Sequence, residues 1–79
     1  MMQIKELKML HRAGALSDAR IAAFMGEWTV EMQQKGGERV TVEAQRGGVR
    51  QFKTLDAAWK ALAAIGFERA TIEERHQTR

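Results

Sequence analysis

Few residues in this chain have the types and spacing that a reaction needs. There is no cysteine, which excludes a thiolate nucleophile, a disulfide framework and a cysteine-held zinc together. The only histidines are His11 and His76, and no ligand spacing joins them to carboxylates. Ser17 is the only serine, and a helix-cap role explains it. Glu73 and Glu74 adjoin on an expected strand, so they point to opposite faces and cannot work as an acid–base pair. Gly36-Gly37-Glu38-Arg39 and Arg46-Gly47-Gly48-Val49-Arg50 lack the lysine and the strand-to-helix setting of a phosphate loop, and read as hairpin turns. These features predict a protein that is not an enzyme, with no cofactor, no metal and no small-molecule substrate.

What remains is binding chemistry. Two arginines flank the Gly47-Gly48 turn and Lys53 follows it. Guanidinium forks suit phosphate oxygens and guanine edges, and a β-ribbon carrying them can enter a major groove. With Lys35 and Arg39 from the preceding turn, the candidate nucleic-acid contacts are Lys35, Arg39, Arg46, Arg50 and Lys53. The outward residues of the first two expected strands would be Thr29, Glu31, Gln33, Arg39, Thr41, Glu43 and Gln45; Glu31 and Glu43 do not suit phosphate. Arg20 to Gly26 imitates the start of a helix-turn-helix, but Glu27 stands where an apolar residue belongs and Trp28 to Gln33 alternates like a strand. Self-association is the third candidate. Phe24, Trp28, Met32, Trp59 and Phe67 are many large apolar groups for a chain this short, and they form either the core or part of a dimer.

The elements that must position these groups follow from periodicity. Ile4, Leu7 and Leu10 predict a helix over 3–12, capped by Gly14. Ser17 and Asp18 read as the start of a second helix over 18–25, with Ile21, Phe24 and Met25 as its stripe. The period then falls to two. Trp28, Val30 and Met32 alternate within 27–34, and Val40, Val42 and Ala44 within 38–45, with Gly36-Gly37 as the turn between them. A third strand is expected over 49–53; Val49 and Phe52 differ in parity there, which a bulge would reconcile. Thr54 caps a helix over 54–65, with Leu55, Trp59, Leu62 and Ile65 on one stripe and Gly66 ending it. Residues 67–74 read as a last strand with Ala70 and Ile72 inward, and 75–79 as a frayed charged tail.

The expected fold is therefore α+β in the order α-α-β-β-β-α-β. It is a small antiparallel meander with a terminal β-α-β crossover and helices on one sheet face. The position of the last strand, beside the first or the third, stays open. The 79 residues read as a single domain: helices in 1–26, the meander in 27–53, a helix and strand in 54–74, and the tail in 75–79. Hydrophobic residues at 44% and charged residues at 29% suit a soluble globular chain. No apolar run approaches the roughly 18 residues of a membrane span, and no signal-peptide pattern opens the sequence, so the expected location is cytoplasmic, off the membrane.

The net charge of +3 is local. Lys5, Lys8, Arg12 and Arg20 balance Glu6, Asp18, Glu27 and Glu31; Arg69, Arg75 and Arg79 balance Glu68, Glu73 and Glu74. The excess lies in 35–60, where Lys35, Arg39, Arg46, Arg50, Lys53 and Lys60 face Glu38, Glu43 and Asp56. Such a surplus attracts polyanions, although a mixed-sign surface also serves solubility alone.

The run Arg50-Gln51-Phe52-Lys53-Thr54-Leu55-Asp56-Ala57-Ala58-Trp59, the later Ile65-Gly66-Phe67 and the strand Trp28-Thr29-Val30 together resemble small, mostly uncharacterised proteins of proteobacterial plasmids and integrative elements. Some of these are labelled partition-type accessory proteins. The resemblance spans about residues 16–74 and implies a cytoplasmic accessory role in plasmid maintenance or gene control. Phe52, Thr54, Ala57 or Ala58, and Trp59 also resemble the three-stranded arm-site DNA-binding domains of tyrosine integrases. The long N-terminal helices, the extra last strand and the acids on the sheet depart from that pattern. The functional expectation is an accessory protein that contacts duplex DNA, as a homodimer or with a protein partner. The alternative is a protein-interaction or dimerisation module without nucleic acid.

Overall fold

The computed structural model describes residues 2–74; the expected tail, with His76, lies outside them. The protein is α+β, with two helices and a four-stranded mixed sheet. Helix α1 spans Ile4–Arg12, strand β1 Leu16–Phe24, β2 Glu27–Gln34, β3 Arg39–Thr41, helix α2 Leu55–Ile65 and β4 Thr71–Glu74. The strand order is β3-β2-β1-β4. β1, β2 and β3 form the antiparallel meander, and β4 adds parallel to β1.

The expected second helix is therefore a strand, and the observed order is α-β-β-β-α-β. Ser17 caps nothing; its hydroxyl donates to the Gln33 carbonyl across the β1–β2 pair at 3.3 Å. The reason is the position of β1. It is a central strand, hydrogen-bonded on both sides, and such strands lose the clean alternation of half-buried ones. Ala19, Ile21 and Ala23 pair with Met32, Val30 and Trp28, while Ala22, on the opposite face, is also buried. Phe24 and Met25, the apparent ends of a helical stripe, are 46% and 72% exposed.

Two further expectations change. Residues 49–53 form no regular strand. Val49 bridges Glu43 and Phe52 bridges Trp28, so the two residues of conflicting parity serve different partners. Phe52 is buried and Val49 exposed, so no bulge is needed to reconcile them. The expected strand over 38–45 keeps β-ladder pairing to β2 only over Arg39–Thr41. Beyond it the Arg50 amide donates to the Val42 carbonyl at 2.8 Å, and Met2 pairs with Val42 from the far side through Met2 N to Thr41 O and Glu43 N to Met2 O. The last strand is also shorter than 67–74. Phe67 is buried beside the end of α2, Ala70 is half-buried, and Ile72, opposite Ile21, is 56% exposed. It pairs with β1, where the periodicity predicts a helix, so neither expected neighbour holds it, and the crossover through α2 runs from the β3 edge to the β4 edge.

The core forms where the periodicities meet. Ile21, Val30, Met32 and Val40 from the sheet cluster with Leu7 of α1 and Ala58, Leu62 and Ile65 of α2. Helix α1 starts with a capping box, Gln3 and Glu6 each bonding to the other's backbone region. Helix α2 starts where the Thr54 hydroxyl accepts from the Ala57 amide at 3.0 Å. Gly66 ends it at φ +131, a conformation that side-chain-bearing residues rarely adopt. Among the described residues, no helix is long and apolar enough to cross a membrane.

Candidate nucleic-acid interface

The five cations singled out from the sequence do not form one patch. Lys35 follows β2 and its amide donates to the Ala15 carbonyl, beside the turn in which Gln34 and Glu38 bond. Arg46, Arg50 and Lys53 belong to the excursion between β3 and α2, which meets the opposite end of β2 at Trp28. The seven residue-to-residue steps from Trp28 to Lys35 separate the two groups by about 23 Å at the usual strand rise.

Arg39 occupies neither group's free surface. It sits on β3 opposite Gln33, and its guanidinium lies 3.4 Å from the Glu31 carboxylate. Arg20 is held the same way, 3.4 Å from Glu73 on the neighbouring strand. Strand parity puts Asp18, Arg20, Glu27, Glu31, Arg39 and Glu73 on the sheet face away from the core cluster. Four carboxylates stand there against two guanidiniums. That face repels phosphate, and its cations are already neutralised, so it is a poor surface for a duplex backbone. Thr29, Gln33 and Thr41 share this face, as their alternation predicts; Glu43 and Gln45 lie past the end of β3, where the strand has ended.

The excursion over 44–53 differs. It contains no acidic residue. Its turn is closed by Gly47 N to Ala44 O at 3.0 Å and Ala44 N to Gly48 O at 2.9 Å, with both glycines at positive φ. That geometry exposes Arg46 at the tip. The Arg50 guanidinium carbon lies over the Phe52 ring, 4.8 Å from its centroid, a cation–π contact on an exposed side chain. Lys53, exposed, precedes the cap of α2. No carboxylate among the described residues forms an ion pair with these three side chains.

Sequence reasoning missed an exposed apolar tip at the same end of the sheet. The β1–β2 connection is a two-residue turn, Met25-Gly26, with φ of +54 and +80. Positive φ at both positions is the type I′ pattern that favours Asn-Gly. Met25 therefore takes a left-handed conformation that costs an L-residue about 1–2 kcal/mol. The Met-Gly pair was the only sequence signal for this turn. Phe24 lies next to it, near Gln51 of the excursion. His11, the one histidine described, packs edge-on against Phe67 with ring centroids 4.7 Å apart. Among the described residues, no group of three histidine, aspartate or glutamate side chains could hold a metal ion. No family model, no curated protein and no solved structure matches the chain.

Proposed function

We propose that this chain is a non-enzymatic accessory protein of a plasmid or mobile element, and that it contacts duplex DNA with the excursion over 44–53. The carrying observation is that Arg46, Arg50 and Lys53 stand exposed on an acid-free loop, whereas the sheet's own cations are tied to carboxylates. Lys35 and Arg39 drop to secondary status, the first by distance and the second by its ion pair. With the face that carries Glu27, Glu31 and Glu73 acidic, the loop is the surface that a phosphate backbone can approach. The accessory role rests on the resemblance of residues 50–59 and 65–67, a stretch that here supplies a buried Phe52, the α2 cap and the α2 stop.

Three phosphate contacts predict that the logarithm of affinity for random duplex falls with log salt at a slope of about −2.7. In fluorescence anisotropy at roughly 50 mM salt, the pair Arg46→Glu/Arg50→Glu should abolish binding. Arg39→Ala should leave it within about twofold, because an exposed, paired guanidinium adds little. Wild-type protein that leaves random duplex unbound at that salt refutes the proposal.

A second reading, a protein-interaction module, is favoured by Phe24 and Met25. Two exposed apolar side chains on a strained turn fit a protein contact better than a phosphate contact.

A further inference from the structure

An open apolar groove runs between the first turns of α2 and the β4 edge. Its floor and walls are Ile21, Leu55, Trp59, Ala70 and Ile72. Ile72 is 56% exposed although strand parity turns it to the core side, because no helix residue covers it there. The rim is charged with opposite signs. Asp56 stands on the helix wall and Arg69 on the wall leading into β4, both exposed. Asp56 is engaged only with Lys60 one turn on, at 3.5 Å, with both side chains more than three-quarters exposed. Such a pair is weak and exchangeable.

We infer that the groove is a two-fold interface that a second copy of this chain occupies. The argument is self-complementarity. A two-fold axis running along the groove lays the helix wall of one copy over the strand wall of the other. Asp56 of each copy then faces Arg69 of its partner, and each Ile72 ridge enters the other's Leu55–Trp59 cleft. A groove with one charge sign on both walls would instead repel its own copy. A chain of 79 residues has a thin core, and a shared apolar interface extends it. The inference is independent of the duplex reading; the loop over 44–53 lines no part of this groove.

The test uses the full chain in sedimentation equilibrium across roughly 1–500 µM, since dimer population follows concentration. Wild type should give twice the 8.9 kDa chain mass within that range. Ile72→Asp should raise the dissociation constant about a hundredfold, since each substitution acts twice across the axis. Asp56→Arg alone and Arg69→Asp alone should each be monomeric, with circular dichroism showing an intact fold. Mixed in equal amounts, these two variants should recover the dimer, because every cross-axis pair is again opposite in sign. A structural role for either residue cannot produce that rescue. A wild-type monomer throughout the range overturns the inference and leaves the groove to a different chain. So does a dimer that survives Ile72→Asp, or a mixture that stays monomeric.

Discussion

Replacing Gly66 with alanine probes the joint between the two helices and the sheet. A Cβ built at Gly66 would lie 2.6 Å from His11 Nδ1 and 2.8 Å from its Cε1, inside the distance that real Cβ atoms keep. The backbone there is at φ +131 and ψ 0, where an L-residue is strained by about 1–3 kcal/mol. Relieving the clash moves the imidazole off Phe67, and an edge-to-face aromatic pair is worth about 0.5–1.5 kcal/mol beyond its area. The two terms add to about 1.5–4.5 kcal/mol. Against the roughly 4–12 kcal/mol expected for a domain of this length, that is a large share. At about 4–8 °C per kcal/mol for a domain of this size, the midpoint should fall by roughly 6–36 °C. Thermal and urea unfolding followed by circular dichroism measure it. The double variant His11→Ala/Gly66→Ala separates the terms: in the His11→Ala background, Gly66→Ala should cost only the backbone part, leaving a coupling of about 0.5–1.5 kcal/mol. A Gly66→Ala protein within about 0.5 kcal/mol of wild type would refute both terms. An equal cost in both backgrounds would refute the ring contact.

Two other substitutions test the local chemistry. Thr54→Ala removes the acceptor for the Ala57 amide and should lower stability by about 1 kcal/mol in urea unfolding, with Thr54→Ser restoring most of it. Met25→Gly should raise stability by about 1 kcal/mol, because the exposed side chain packs on little and glycine adopts φ +54 without penalty; the same variant should weaken any partner that uses this tip, so higher stability with unchanged binding would remove Met25 from the second reading.

Much of the architecture was legible because several segments obey a single period. Leu7 on α1, the Val30–Met32 alternation on β2, and the Thr54 cap with its Leu62–Ile65 stripe on α2 are each decided by local sequence. The Gly36-Gly37 turn fell where the two strand runs demanded a reversal. The expected helix over 18–25 gives way to a strand for a physical reason. Alanine is small enough to be buried on either face, so Ala19, Ala22 and Ala23 erase the contrast by which a strand is recognised. Ser17-Asp18 then supplied a false cap. The parity conflict of Val49 and Phe52 was a true signal, but it marked the absence of a strand rather than a bulge. The candidate site was half legible. Composition located the basic segment, yet the pairing of Arg39 with Glu31 depends on the register of β2 and β3, and the divided placement of Lys35 and Arg46 depends on which end of β2 each turn reaches.

The strand order also sets an assembly sequence. β1 with β2, and β2 with β3, join segments that are near neighbours in the chain, and each closes through a short turn. β4 joins β1 across some fifty residues, from Arg20 to Thr71. Loop-closure entropy makes that pairing the late one, formed only after α2 has settled on the meander and shortened the effective loop. The four residues of β4 then behave as a latch on the central strand. Hydrogen exchange should therefore find these four residues the first part of the sheet to lose protection, with the β1–β2 ribbon protected until the whole molecule opens.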